Sequence, residues 1–498
     1  MEQGRKVIKC DLRPTGDIEK DKKIIPKILE IVMPQHQTNC GDIEKLRDYY
    51  YNVTDIKNKT TTIRKDINNK IAINYPYIAV TTINAYCFAQ PFSFASRNVK
   101  KSKQIEEFNK ALDDDKYASK MIQTTWHSGV GGLGYKFIAP ATEEEARQGK
   151  FFHTIGDIDP VTTFCVYANT LQKEKTLAVN YFQRNVYDDE YNVKGAETVY
   201  NVWTKYHYWI FVNKDGVWKN EKQRALDSEV DAYPIDYKIP IIEYPRKQDR
   251  TNDFEVAKDL IDAANIIASN RVDNVQQIVD FLLLLRDINT SDEALKDVKD
   301  CLKQGIMSFK SIEGATVQPE VKLFQVPLNQ TEMQTLQDFL CNKIEEVLCI
   351  PNREIRGSSG DTGLAVESRA GYRSLENIAG LITLSAIEAE SEALEVILGI
   401  CAGRSNCPFK DLTVNDIEIK PNRNKVENVT SAANAYSVLR AAGMNDETSC
   451  SVTGIVNDPY SVAQKNKKEL LETANETQVA KTEPQQTNDT NSASADEV

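Results

Sequence analysis

The sequence predicts an α+β protein, mainly helical, in which a hairpin-rich antiparallel sheet precedes a series of long helices. Three stretches carry that prediction. From Gly134 to about Trp218 the chain is rich in β-branched and aromatic residues ("TTFCVYA", "LAVNYFQRNVY", "ETVYNVWTKYHYWIFV"), and the turn sequences "DDEYNVKG" and "NKDG" divide it into hairpins. Thr251–Leu285 contains no Gly or Pro, and its apolar residues (Phe254, Ala257, Ile261, Ala264, Ala268, Val272, Val275) recur at helical spacing. A helix over that stretch would be roughly 45 Å or longer at 1.5 Å per residue. Leu364–Ala402 reads as another very long helix, with Gly371 and Gly380 as candidate kinks.

The remaining elements follow in order. Residues 1–50 are polar and charged, with helices expected at Ile18–Met33 and Asp42–Tyr51. Asn/Lys-rich loops lead to an apolar segment, Ile78–Phe88, and then a helical pattern from Ser102 to Trp126. The sheet follows as an antiparallel meander without helices between its strands, closed by Pro240 and Pro245. Thr251, Asn252 and Asp253 offer N-caps for the long helix. Beyond it, "SDEALKDVKDCLKQ" reads as a short helix, "IMSFKSI" and "VKLFQV" as two strands joined by "EGATVQP", and Gln330–Ile350 as a returning helix. The natural picture is a two-helix stalk with a small module at its far end. "PNREIRGSSGDTG", Pro351–Gly363, is a Gly/Ser/Asp-rich loop with two arginines. "DIEIKP" predicts a strand, "VENVTSAANAYSVLRAAG" a helix capped by Gly443, and the Thr/Asn/Gln-rich residues 476–498 a disordered tail.

Composition narrows the function classes. A chain of 498 residues is long enough for several cores. Its densest apolar run, "FLLLL" at Phe281–Leu285, falls far short of the ~20 residues of a membrane span, and the first residues lack the apolar core of a signal peptide. Ten cysteines without C-x-x-C pairs predict reduced, buried thiols, with Cys401 and Cys407 the closest pair. A net charge of −12 is the wrong sign for gripping nucleic acid, and it does not exclude a surface that DNA slides past without sticking.

"HSGVGGLGYKF" raises the enzyme alternative, because Gly129, Gly131 and Gly134 satisfy G-x-G-x-x-G. A dinucleotide fold needs strand, glycine turn, then helix; here a helix precedes and a strand follows. A phosphate loop needs Lys and then Ser/Thr directly after its last glycine, and Gly134 is followed by Tyr135, Lys136 and Phe137. The glycines are therefore read as a helix-to-strand corner where backbones approach closely. The four histidines, His36, His127, His153 and His207, have no metal-ligand spacing. Asp113–Asp115 and Glu143–Glu145 read as solvated turns. No catalytic set, cofactor site or metal site is expected.

The element order, with "LRDYYYN" and "NNKIAINYPYIAVTTINAYCFAQPFSF", "DFEVAKDLIDAANIIASNRVDNVQQI", "SSGDTGLAVESRAGYRSLENIA" and "KVENVTSAANAYSVLRAAGMNDETSCSVTGIVNDPYSVAQKNKKE", resembles the portal (head–tail connector) proteins of long-tailed bacteriophages over about residues 40–470. The resemblance implies a mainly helical portal fold with wing (1–251, and the long helix 364–403), stem (252–285 and 330–350), clip (286–329), tunnel loop (351–363) and crown (404–475). It implies a homo-oligomeric ring, as a dodecamer, at one capsid vertex. Double-stranded DNA would pass through it transiently and without sequence preference, and no membrane would be involved. The implied partners are the terminase large subunit, a head–tail adaptor, and the major capsid and scaffolding proteins. The implied location is the virion, after assembly in the host cytoplasm. By the same resemblance Asn352, Arg353, Arg356, Gly357, Ser358, Ser359, Gly360 and Asp361 belong to the channel loop, and Lys303, Lys310 and Lys322 to the clip interface. Arg353 and Arg356 are expected either to meet phosphates in transit or to pair between subunits with Glu345, Glu346 or Asp361. The competing reading is an intracellular scaffold built on long helices.

Overall fold

The computed structural model describes residues 4–61, 65–225, 228–279, 282–286, 320–324, 330–352, 371–423 and 429–453, with 462, 466 and 467. Two sheets form the body. The larger is seven-stranded, built on the ladder of Thr163–Ala168, Lys175–Tyr187, Val193–Thr204 and His207–Lys214, with Val217–Asn220 and Tyr233–Pro234 beside the last of these. The short strand Lys9–Cys10 joins its other edge in parallel. Leu133–Pro140 lies centrally in a three-stranded sheet, between Ile241–Pro245 and Phe152–Ile158. Both turn sequences close hairpins; Asp215 and Gly216 both take positive φ, as a two-residue turn between twisted strands requires. The meander is thus two sheets, and a five-residue helix, Glu143–Arg147, interrupts it behind a Thr142/Glu145 capping box.

One N-terminal helix, Ile18–Tyr50, replaces the two expected, and Pro26 and Pro34 lie inside it. Each proline removes a backbone donor. Burial offsets the loss: Ile25, Ile28, Leu29 and Val32 are fully buried in a core with Val166, Leu177, Val179 and Trp209 of the large sheet. Within this core His36 stacks on Phe164, and its Nε2 lies 3.0 Å from the Val161 carbonyl and 3.2 Å from Cys40 Sγ. Burial pushes the His36 pKa down to about 4. A neutral, depressed His stabilises the fold fully above its unfolded value near 6.5 and loses that contribution as pH falls through 4. Between pH 7 and 4.5 the wild type is therefore expected to lose roughly 2 kcal/mol that a His36→Asn variant does not lose. Parallel urea titrations at the two pH values check this, and equal losses would refute it.

The apolar segment before Pro91 is a helix, Tyr75–Phe88, capped by Asn74 with Pro76 in its first turn. The helical stretch from Ser102 breaks into Ser102–Asp114 and Tyr117–Gly131 at Lys116, whose φ is +55°. Asp115 explains the break and is no solvated turn. It is buried, and it accepts from Thr154 N at 3.0 Å and pairs with Lys120 at 2.8 Å.

The long helix expected to reach Leu285 runs from Lys258 to Val279, about 33 Å at the helical rise. Leu282–Arg286 is instead a strand, paired antiparallel with Glu320–Phe324. A run of leucines carries no periodicity, so sequence pattern could not assign it to helix or strand. The expected helix "SDEALKDVKDCLKQ" and strand "IMSFKSI" lie outside the described residues. The returning helix spans Gln330–Val347, and the next described helix is Tyr372–Ala402. Gly371 is no kink but the N-cap of that helix, at φ +85°. Ile417–Lys420 pairs with Ser93–Ser96, and Val429–Ala441 is followed by Gly443 at φ +88°. Among the described residues the cysteines are free, Cys401 and Cys407 included.

Candidate functional site

The helices Lys258–Val279 and Gln330–Val347 pack against each other. Ala257, Ile261 and Ala264 share a core with Leu340, Ile344, Leu348 and Ile350, while Asn274 reaches Met333 at 3.7 Å. Early residues of the first helix thus meet late residues of the second, so the pair is antiparallel. Tyr49, Tyr50, Ala79, Val80 and Val130 hold its base in the same core. One apolar stripe of the second helix is used in this way. A second stripe, Leu336, Phe339 and Val347, stays two-fifths or more exposed, as do Ile266 and Val275 of the first. A helix with two apolar stripes has more apolar surface than one chain covers.

Two excursions leave this pair. Residues 287–319 depart and return at the Arg286/Glu320 end of the strand ladder. Residues 353–370 depart after Asn352 and return at Gly371, where an added Cβ would lie 3.8 Å from the Pro351 Cα, so the two ends are side by side. Of the expected channel-loop residues, Asn352 is described. It is half-buried, and its side chain donates to Asn342 Oδ1 at 2.9 Å. Arg353, Arg356, Gly357, Ser358, Ser359, Gly360 and Asp361 lie outside the described residues, as do Lys303 and Lys310. Lys322 sits on the strand Glu320–Phe324, opposite Leu284.

The glycine stretch takes its place at the base of the pair. Helix Tyr117–Gly131 ends in Gly132 at φ +86°, and the strand starts at Leu133. Its last carbonyls are met by the segment that launches the helical pair: Asp253 N donates to Gly129 O, Asn252 Nδ2 to Val130 O at 2.7 Å, and Arg246 N to Gly132 O. Arg5 Nη1 donates to Gly131 O and pairs with Glu255 at 2.5 Å. Arg246 holds Asp253 through two contacts of 2.8 and 2.7 Å and also donates to Asn84 Oδ1. These cations sit at the negative end of the helix dipole and satisfy carbonyls that burial would otherwise orphan. The corner is thus a joint between body and helical pair, not a phosphate cradle. Asn252, expected as an N-cap, does accept at its Oδ1 from Phe254 N and Glu255 N; sequence reading missed Arg5 and Arg246.

A second buried cluster ties helix Tyr372–Ala402 to the small sheet. Glu390 accepts from Lys136 Nζ at 2.7 Å, Tyr117 OH at 2.5 Å and Tyr244 OH at 2.9 Å, and Lys136 and Glu390 are wholly buried. Burial pushes the Lys136 pKa down while Glu390 pushes it back up. Farther along, Lys175 meets Glu392 and Lys238 meets Glu395, each at 2.5 Å. The buried and part-buried pairs, Lys136–Glu390 and Lys175–Glu392, are structural fasteners, and Lys238–Glu395 lies at the surface. Among the described residues no cluster of His, Cys, Asp and Glu could hold a metal, and no helix is long and apolar enough to cross a membrane.

Residues 29–477 match the sequence model of the family described as phage portal protein, SPP1 Gp6-like. The portal protein of Bacillus phage SPP1 is 22% identical over 359 residues, which cover 70% of this chain and 64% of that protein's length. A family match that takes in both sheets, the antiparallel helical pair and the helix Tyr372–Ala402 leaves one assignment: the chain belongs to the SPP1 Gp6-like phage portal protein family.

Proposed function

We propose that the chain assembles into a closed ring, a dodecamer, whose axial channel passes double-stranded DNA at one vertex of the capsid. The observation that carries this reading is the helical pair, whose second apolar stripe (Leu336, Phe339, Val347) is bare in a single chain and is suited to the next copy around an axis. A terminase large subunit would drive DNA inward, and a head–tail adaptor would later join head to tail. Major capsid and scaffolding proteins would seat the ring in the virion after assembly in the host cytoplasm. In this reading residues 1–251 and 364–403 are wing, 252–285 and 330–350 stem, 286–329 clip with Lys303, Lys310 and Lys322, and 404–475 crown. The net charge of −12 discourages tight binding of a polyanion in transit.

Negative-stain electron microscopy of the purified protein, with its mass in solution, tests the ring. Closed rings of about a dozen copies are expected on the homo-oligomer logic of closed symmetry; a monodisperse monomer at all concentrations, and in the presence of capsid protein, would refute it. The channel-loop proposal rests on the point where residues 353–370 leave and re-enter, between the helical pair and the long helix. Deleting Ser358–Asp361 is expected to leave ring mass unchanged and to impair DNA packaging or retention. Normal packaging by that variant would remove the loop from the channel.

A further inference from the structure

The strands Lys175–Tyr187 and Val193–Thr204 outrun their neighbours in the large sheet. The strand Thr163–Ala168 pairs as far as Asn180, and His207–Lys214 as far as Thr198. Beyond both points Arg184–Tyr187 and Val193–Glu197 form a two-stranded arm that no further described strand joins, with Phe182 at its base. An isolated two-stranded hairpin is marginal by itself, yet this one carries bare apolar groups. Phe182, Tyr187, Val193 and Tyr191 are exposed, Tyr191 at 87%. Tyr191 has φ +63°, a strained backbone for a bulky residue, and it is held in the turn by Asp188, whose backbone carbonyl accepts from Tyr191 N and whose carboxylate accepts from Asn192 N. Asp189 and Glu190 give the tip a negative charge.

A recess of about 600 Å³ lies between the two sheets, within the size range of binding pockets. Its wall is aromatic: Trp203 stacks on Tyr208 at 5.0 Å and meets Phe137 at 5.1 Å. Tyr208 OH donates to Asn201 Oδ1, so amides sit beside the rings, and Tyr233 stands half-exposed in the lining. Two exposed lysines flank lining residues, Lys222 before Gln223 and Lys238 after Tyr237. Each has a surface carboxylate partner, Glu229 at 3.8 Å and Glu395 at 2.5 Å, and such pairs hold weakly.

We propose that the arm of one copy inserts Tyr191 into the inter-sheet recess of the next copy, its acidic tip meeting Lys222 and Lys238. The chain's own arm cannot do this: Asn180 and Asn201, at the base of the arm, line the recess, and the tip lies about 17 Å or more beyond them at strand rise. Protrusion and recess are different surfaces, so the contact is head-to-tail, the type that closes into rings. This rests on the homo-oligomeric reading and adds to it a contact outside the helical pair.

Chains carrying Tyr191→Cys are mixed with chains carrying Tyr233→Cys and oxidised. Cross-linked dimers are expected from the mixture and not from either variant alone, with a ladder of higher species from the double variant. Tyr191→Ala should weaken assembly about 30-fold, as loss of a central aromatic anchor does. Asp189→Lys with Glu190→Lys should weaken it similarly, and Lys222→Glu with Lys238→Glu should restore it. Wild-type rings by microscopy and mass, with no cross-link and with Tyr191→Ala assembling at wild-type concentrations, would overturn the arm contact and leave the ring standing. Absence of any oligomer of the wild type would overturn both, whereas cross-linked pairs without rings would support the arm and refute the ring.

Discussion

Glu390→Ala is expected to cost 3–5 kcal/mol, a large share of the stability of an ordinary domain. The side chain is the carboxylate partner of a fully buried ammonium and also accepts from two phenols. Removing it leaves Lys136, Tyr117 and Tyr244 facing one another in the apolar core that surrounds helix Tyr372–Ala402. The Lys136 ammonium lies 4.0 Å above the Tyr117 ring and 4.8 Å above that of Tyr244, contacts that soften the loss without replacing a carboxylate. Most of the cost is the orphaned charge, not the worth of the pair. Lys136→Met combined with Glu390→Gln keeps an acceptor for the tyrosines and removes the charge, so it should cost less than Glu390→Ala alone. Urea unfolding followed by tryptophan fluorescence measures both. A Glu390→Ala loss under about 1 kcal/mol, or a double variant worse than the single, would mean that the cluster is not what fastens this helix. The consequence reaches function, because this helix begins at Gly371, where residues 353–370 re-enter the body. In the proposed ring a channel loop at 353–370 would need a fixed support, and Glu390 and Glu392 anchor helix Tyr372–Ala402 to the sheets.

Glu390 also marks the limit of what the sequence disclosed. In "SAIEAESEALEVILGICA" it is one of four glutamates, and nothing in their spacing distinguishes the one that is buried from Glu388 or Glu395. Helical periodicity located the antiparallel pair and the long helix because each buries a stripe. Alternation and turn chemistry located the large sheet, down to the Asp215-Gly216 turn. Boundaries failed where packing overrode local preference. Two prolines sit inside Ile18–Tyr50 because its buried face outweighs two lost hydrogen bonds, and "LLLLR" became a strand because a partner strand lay opposite. The joint at the base of the helical pair was invisible for a related reason. Arg5 and Arg246 lie far apart in the chain and converge only through the fold, so no local motif announces them.

The glycines at that joint yield the sharpest contrast between a structural corner and a nucleotide cradle. At Gly134 an added Cβ would lie 2.2 Å from the carbonyl oxygen of Thr124 and 3.1 Å from its carbon. Those atoms are helix backbone, so no side chain can swing aside; strand or helix must move. Its φ is not in the left-handed region, so Gly134→Ala is a pure test of close approach. We expect a cost above about 3 kcal/mol and loss of soluble protein, beyond ordinary core overpacking because both surfaces are backbone. Gly132→Ala should be as severe, since its Cβ would meet Arg250 O at 2.3 Å and its φ is +86°. Gly131→Ala should be mild, under about 1.5 kcal/mol, because it meets only the Ile43 side chain, at 3.1 Å, and a side chain can yield. A nucleotide fingerprint orders the same residues differently. It requires Gly129, Gly131 and Gly134 for a ligand and is indifferent to Gly132. Soluble yield and unfolding midpoints for the three alanine variants therefore decide between the two accounts. Severity at Gly132 and Gly134 with tolerance at Gly131 means the corner exists to seat the helical pair. A well-folded Gly134→Ala protein would mean that strand and helix are not in the contact described.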